Sequence, residues 1–442
     1  MQAINPPAPG PSALANLIDD DRANSRFRVN RRVFVDEAIL QLERTRIFEK
    51  CWLYLGHESE VSKPGSYVTR SLVDRPLVLS RDADGKLHCF YNVCTHRGAA
   101  ICRERSGTQR TFTCPYHAWV FDIQGNLVRM PGDDSMPSDV NCDGELNLRR
   151  VERMESFKGF VFVCFDPEAQ PLVEYLADAA DYLAYVAEHG PQGMEVVGGT
   201  QEYSARANWK MLSENSVDGY HGMSTHSTYF DYLRSRDGTV LKRPPGGFGW
   251  TRNLGNGHMV SESLGEMAWG RPYARWVPGW GEESRAEVAE IASEIYERLG
   301  QERGDIVVRG DRNMVIFPNL VINDIMAVTI RTYQPTSAGG MHISSWSLAP
   351  VGESASSRDR RMRNFVEFLG PAGFATPDDV EMLESAQKGY AAYQGAPWND
   401  ASRGMQKSNP TKTDELQLRT FWRRWHQLIT GAEATDELLQ GP

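Results

Sequence analysis

Between Glu214 and His226 the chain sets two carboxylates and two histidines within thirteen residues, Glu214-Asn215-Ser216-Val217-Asp218-Gly219-Tyr220-His221-Gly222-Met223-Ser224-Thr225-His226. If residues 208 to 221 are helical, at about 100° per residue, then Glu214, Asp218 and His221 fall within roughly 60° of one another on one face. His226 lies roughly 140° further round, so the helix must end or bend before it. Gly222 stands where such a break is expected. Two imidazoles and one carboxylate, with positions left open, are a donor set for a non-haem iron centre that handles O2. On this local reading either Glu214 or Asp218 can supply the carboxylate. A polar helix face with two ordinary histidines is the plainer alternative.

The rest of the chain narrows the choice. At 442 residues it is long enough for two domains, or one large domain with an insertion. Its formal charge of -10 argues against nucleic acid or an anionic membrane as a partner. No window approaches the roughly 18 uninterrupted apolar residues of a membrane-spanning helix. The opening MQAINPPAPGPSALANLIDD lacks the charged start and apolar core of a signal peptide, so a cytoplasmic location is expected. All seven cysteines lie within the first 164 residues, and their odd number does not suggest a disulfide framework. In a reducing compartment such clustering points to metal.

Residues 1 to 25, rich in Pro, Ala and Asp, are expected to form a flexible arm. A helix follows from Asp36, with Ile39, Leu42 and Ile47 at helical spacing, leading into Trp52. From 55 to 165 short strands alternate with Gly, Pro, Asp and Asn, and Asp84-Gly85 and Gly125-Asn126 fall where two-residue hairpin turns are expected. Within this all-β module stand Cys94-Thr95-His96 and, after seventeen residues, Cys114-Pro115-Tyr116-His117. One thiolate and one imidazole from each of two loops make the mixed donor set of a Rieske [2Fe-2S] cluster. A structural Cys2His2 zinc site is the competitor. Cys-x-His is tighter than the usual zinc spacing, and no helix signal precedes the histidines. Cys51, Cys89, Cys102, Cys142 and Cys164 lack such partners and read as buried thiols.

Beyond 166 the pattern becomes mixed α/β. Helices are expected at 172–190, through Leu172, Leu176, Ala180 and Leu183, and at 285–300, through Val288, Ile291, Ile295 and Leu299. Strands are expected over 313–335 and 339–351, with one buried face. Two further amphipathic helices carry Met362, Phe365, Val366 and Leu369, and Leu418, Phe421, Trp422, Trp425 and Leu428. No internal repeat, P-loop or Gly-x-Gly-x-x-Gly motif is present.

The two Cys-His pairs, Asn208-Trp209-Lys210, the 214–226 stretch and Gly370-Pro371-Ala372-Gly373-Phe374-Ala375-Thr376-Pro377-Asp378-Asp379 together resemble the large (α) subunit of Rieske non-haem iron aromatic-ring-hydroxylating dioxygenases. Glu155-Ser156-Phe157-Lys158-Gly159-Phe160 and Ala349-Pro350-Val351-Gly352-Glu353 resemble the benzoate and p-cumate branch. The resemblance implies an α+β chain: residues 1–50 as an arm and helix packing with the catalytic domain, 51–165 as the Rieske domain, and 166–442 as a catalytic domain built on an antiparallel sheet with helices, of helix-grip type. It implies that Cys94, His96, Cys114 and His117 hold the cluster, and that His221, His226 and Asp379 hold a mononuclear non-haem Fe(II). Asp218 would then be the bridging carboxylate between a cluster histidine of one subunit and an iron histidine of its neighbour, and Glu214 a packing residue. One departure is Ala118, where the family usually has glycine.

The implied activity is cis-dihydroxylation of a benzoate-like aromatic carboxylate with O2 and electrons that start from NAD(P)H. A separate reductase, with or without a ferredoxin, is implied because this chain has no nicotinamide fingerprint. The implied partners are further α subunits in a trimer, paired with small β subunits. Apolar candidates for the pocket are Met211, Met223, Phe230, Ile322 and Met326. Arg331, Arg252 and Tyr220 are candidates for a substrate carboxylate. A Rieske monooxygenase would keep every motif, whereas a pure electron carrier would not need the two-histidine segment.

Overall fold

In a computed structural model, Leu14 and residues 16–137, 139–238, 248–265 and 275–432 are described. The chain divides into two compact units, Lys50–Leu172 and the combination of Met1–Glu49 with Val173–Pro442. Residues 166–172, expected in the catalytic domain, thus fall in the smaller unit.

The smaller unit is built from antiparallel strands. Ser66–Leu72, Arg75–Arg81, Leu87–Tyr91 and Ser106–Thr108 make a four-stranded sheet, and two three-stranded sheets complete it. Tyr67, Val78, Phe90, Phe112, Trp119 and Phe121 are packed together with Cys94 and Cys114. The two glycine-bearing turns are not two-residue turns. Asp82 N–H bonds the Lys86 carbonyl and Asp122 N–H the Asn126 carbonyl, so each hairpin encloses three residues. Only the glycine takes a positive φ, 83° at Gly85 and 90° at Gly125. A type I′ turn would need two such residues, whereas a type I turn closed by a left-handed glycine needs one. The Asp82 and Asp122 side chains each accept two backbone N–H bonds inside the loop, which fixes this form.

The larger unit is organised around a seven-stranded antiparallel sheet in the order Met194–Ala205, Gly340–Pro350, Val328–Ser337, Leu320–Asp324, Gly310–Ile316, Met259–Leu264 and Trp250–Asn253. The Trp209–Val217 helix packs on its central strands. Asn208 caps this helix, its side chain accepting from Lys210 N–H at 3.1 Å. Helix and N-terminal segment are joined at Glu43, which is fully buried and accepts from Lys210 Nζ, Trp209 Nε1 and Trp425 Nε1 at 2.6, 2.7 and 2.7 Å. The Leu416–Thr430 helix brings Trp425 there, with Phe421 and Trp422 also buried.

Several local expectations need correction. Within the expected flexible arm, Ile18–Asp21 pairs with Arg26–Asn30, which pairs with Trp398–Asp400; residues 1–13 lie outside the described residues. Asp19 holds Arg26 and Arg28, and Asp20 holds Arg423 at 2.8 Å, which is why an Asp-rich stretch is ordered. The helix expected at 172–190 breaks into Leu172–Leu176 and Ala179–Ala187, because Ala177 takes a φ of 47°. Val366 is exposed rather than buried, since a π-helical turn at Phe365–Leu369 shifts the apolar face to Phe365, Phe368 and Leu369. Cys142 is exposed, unlike Cys51, Cys89, Cys102 and Cys164. Among the described residues no helix is long and apolar enough to cross a membrane.

Candidate metal centres and their cavity

The two Cys-His loops have one backbone design. Cys94 N–H bonds the Ala99 carbonyl and its own carbonyl accepts from Gly98 N–H; Cys114 N–H bonds the Trp119 carbonyl and its carbonyl accepts from Ala118 N–H. Each loop closes on a left-handed residue, Gly98 at φ 76° and Ala118 at φ 57°. Both thiols are buried, and burial together with the adjacent Cys114 thiol raises the Cys94 pKa. The His96 and His117 rings lie 4.5 Å apart, with His96 stacked on Trp119 at 4.6 Å. Nδ1 of each ring is buried without a hydrogen-bond partner. Two buried thiols and two inward, unpartnered imidazole nitrogens fit the donor set of a Rieske cluster. The other five cysteines carry no such arrangement.

In the larger unit the Trp209–Val217 helix ends earlier than a helix to residue 221 would. Asp218 is extended (ψ 108°), so it and His221 leave the helix before Gly222. His221 precedes a short turn of helix, Gly222–Thr225, and His226 precedes the Ser227–Asp237 helix. Asp379 comes from a distant element, the Ala375–Tyr390 helix. One donor atom from each of His221, His226 and Asp379 lies within 4.8 Å of the others. The Nε2 atoms of His221 and His226 stand 3.5 and 3.4 Å from Asp379 Oδ1.

Neighbouring polar groups orient these donors. His221 Nδ1–H donates to Asp218 Oδ2 at 3.0 Å, leaving Nε2 toward Asp379. Asn215 Nδ2 donates to Asp379 Oδ1 at 3.0 Å. Burial works against a charged His221, but hydrogen bonds that its ring donates to the Asp218 and Asp379 carboxylates carry its pKa up to about 10. Burial likewise opposes ionisation of Asp379, yet His221, His226 and Asn215 hold its carboxyl below the usual range. Burial lowers His226. Two imidazoles and one ionised carboxylate converging within 4.8 Å fit the donor set of a facial triad for non-haem iron. Glu214 does not join them: it is bonded to Trp422 Nε1 at 2.6 Å, and burial pushes it up to about 7.

A cavity of about 90 Å³ opens beside the triad. Met223, Phe230, Ile325, Phe368 and Leu369 give it apolar walls, and Asn313, Asn323, Arg331 and Lys412 add polar ones. Of the apolar candidates, Met223 and Phe230 line it, whereas Met211, Ile322 and Met326 are core. Of the cationic or hydroxyl candidates only Arg331 does. Arg252 is turned to Glu262 at 3.9 Å, and Tyr220 is 48% exposed beneath Arg403. Sequence reasoning missed Asn215 and the Lys412–Asp311 pair. Asn215 lay inside the stretch of interest, and a polar residue among helix positions facing the core was its signal.

Residues 51–142 match the Rieske [2Fe-2S] domain family, and residues 194–431 match the family described as ring hydroxylating alpha subunit (catalytic domain). The chain belongs to the ring-hydroxylating oxygenase α subunits. This α subunit is 32% identical over 432 residues to toluate 1,2-dioxygenase subunit alpha of Pseudomonas putida, covering 96% of this chain and 91% of that one. It is 33% identical to the 2-halobenzoate 1,2-dioxygenase large subunit of Burkholderia cepacia over 89% of this chain and 84% of that one. A solved naphthalene 1,2-dioxygenase with indole in its active site superposes with a TM-score of 0.79 at 28% identity, over 93% of this chain and 94% of that one. The α subunit is accordingly an oxidoreductase with a Rieske [2Fe-2S] cluster and a mononuclear non-haem iron.

Proposed function

We propose that this α subunit is the terminal oxygenase component of a system that cis-dihydroxylates a benzoate-like aromatic carboxylate. Ring, O2, two electrons and two protons give the cis-diol, with both oxygen atoms incorporated and NAD(P)H as the electron source. The convergence of His221, His226 and Asp379 beside an apolar-walled cavity carries this reading. The substrate class is supported by relatives named for toluate, 2-halobenzoate and anthranilate.

Cys94, Cys114, His96 and His117 would hold the cluster, and His221, His226 and Asp379 the iron. When bound, the cluster supplies single electrons at a relatively high potential and the iron supplies open positions for O2. The protein's own part is positional. Phe230, Phe368 and Leu369 hold the ring and exclude water from the triad. Asp218 keeps the proton of His221 on Nδ1 and so presents Nε2 as a donor. Its carboxylate, 22% exposed on its side chain, is in this reading also the acceptor of an N–H from a cluster histidine of a neighbouring subunit. That role calls for a closed ring of α subunits, with a trimer the expected form. Relatives named as large subunits support a small β subunit as a further partner, and the lack of a nicotinamide fingerprint calls for a separate reductase to supply electrons.

The test is reconstitution with a reductase on benzoate, p-cumate, salicylate, anthranilate and terephthalate, followed by product identification with labelled O2. A cis-diol carrying two labelled oxygens is expected. A phenol or side-chain alcohol with one label would replace the reading with monooxygenation, and NADH use without product on any acid would overturn the substrate class.

A further inference from the structure

Arg331 lies on the Val328–Ser337 strand, is only 2% exposed, and lines the cavity beside the triad. Its Nη2 donates to Asn323 Oδ1 at 2.7 Å and to Ser216 Oγ at 3.2 Å, and its Nε is buried without a partner. Both partners are neutral. Several other buried cations of this unit are neutralised: Arg312 by Asp324 at 3.0 Å, Arg361 by Glu353 at 3.1 Å, and Lys412, the other basic side chain lining the cavity, by Asp311 at 2.5 Å, whereas buried Arg419, which does not line the cavity, donates to the Ala401 and Arg403 carbonyls. Among the described residues no carboxylate pairs with Arg331. A buried cation without a counter-ion is costly, and an anion that enters removes that cost.

The surroundings hold the guanidinium in place. Asn313 and Asn323 face each other across paired strands, and Asn323 Nδ2 donates to Asn313 Oδ1 at 2.7 Å. That bond turns Asn323 Oδ1 toward Arg331. The guanidinium is thus oriented by an amide and a hydroxyl, on the same cavity as the apolar walls of Phe230, Phe368 and Leu369. An apolar wall and a fixed, unneutralised cation suit a flat apolar ring bearing one carboxylate.

We infer that Arg331 is the specificity-determining residue that binds the carboxylate of the aromatic substrate and thereby sets which ring edge faces His221, His226 and Asp379. The inference rests on the aromatic-carboxylate reading given above. A guanidinium matches a carboxylate in shape as well as charge. Asn323 and Ser216 are its positioning residues.

The test compares the holoenzyme, Arg331→Gln and Asn323→Asp on benzoate and on nitrobenzene, its neutral isostere, reading KM, kcat, coupling and the rise in melting temperature caused by each ligand. Arg331→Gln is expected to lower kcat/KM for benzoate by about 100-fold, mainly through KM, and to abolish thermal protection by benzoate. Nitrobenzene turnover is expected to change less than about threefold. Asn323→Asp preserves shape but gives Arg331 an internal counter-ion, so it should weaken benzoate by about tenfold or more and spare nitrobenzene. This second variant decides the matter if Arg331→Gln does not fold. Equal losses on both ligands, or unchanged benzoate binding in either folded variant, would overturn the role of Arg331. A wild-type enzyme that oxidises nitrobenzene but neither oxidises nor binds any aromatic acid would instead overturn the substrate class, and the carboxylate contact with it.

Discussion

Asn215 donates its side-chain amide to Asp379 Oδ1 at 3.0 Å, joining residues 164 positions apart. The bond lies between the helix that precedes the two histidines and the helix that carries the third donor. It restrains the carboxylate before any metal arrives. Loss of such a supporting hydrogen bond typically costs 10–100-fold in metal affinity. Asn215→Ala is therefore expected to weaken iron binding by about one to two orders of magnitude, with the visible spectrum of the cluster unchanged. Titration of chelator-treated protein with Fe(II) measures this, and an unchanged affinity would show that Asp379 is positioned by its helix alone.

The hydrogen bond between Asp218 and His221 carries the second prediction. Asp218→Ala is expected to leave both metal centres populated and the cluster reducible, while substrate-dependent O2 uptake falls by about 100-fold. Iron content, the cluster's EPR signal and single-turnover product yield separate these effects. Wild-type coupling with both centres intact would remove Asp218 from the electron path.

Much of this arrangement is legible in the sequence. The two Cys-His pairs, the all-β character around them and the alternating strands of the large sheet follow from donor spacing and period-two patterning. The triad is legible only in part. His221 and His226 stand out, but local helix geometry offers Glu214 or Asp218 as the carboxylate, and neither takes that place. Glu214 faces Trp422 because the helix rotates it toward the aromatic face of Leu416–Thr430. Asp379 is contributed by a separate helix, a long-range contact that periodicity does not encode. The breaks at Ala177 and Asp218 also escape pattern reasoning, since neither residue is a glycine or proline.

Glu214 supplies a pH prediction. Burial raises its pKa from 4.5 to about 7, and nearby Glu415, also raised to about 7 by burial, adds repulsion. Because the folded value is the higher one, the native state favours the protonated form. The associated stability is complete below pH 4.5 and is lost as pH rises through about 7. The shift corresponds to on the order of 3 kcal/mol. Glu214→Gln can still accept from Trp422, so its melting temperature should fall less than that of the wild type between pH 5 and 8. Parallel profiles would show that Glu214 titrates normally.

Glu43 and Lys210 form a fully buried ion pair at 2.6 Å. Burial lowers the Lys210 pKa while Glu43 opposes the change. Removing the carboxylate strands the ammonium, so Glu43→Ala should destabilise the larger unit by about 3–5 kcal/mol. The double change Glu43→Leu with Lys210→Met should cost markedly less, because no lone charge remains. Denaturant unfolding of the two variants gives the comparison, and an equal loss in both would place the energy in the Trp209 and Trp425 hydrogen bonds to Glu43 instead.

Ala118 occupies the same left-handed position in its cluster loop that Gly98 occupies in the other. A side chain there costs about 1–2 kcal/mol relative to glycine. Glycine regains that energy but adds freedom to the unfolded chain, so Ala118→Gly should stabilise the smaller unit by up to about 1 kcal/mol. Gly98→Ala should destabilise it by a similar amount, and the cause is backbone strain alone, since a methyl at Gly98 meets nothing within 4 Å. Thermal bleaching of the cluster absorbance reports both shifts. If Ala118→Gly lowers the bleaching temperature, the Ala118 methyl contributes packing that outweighs its left-handed backbone.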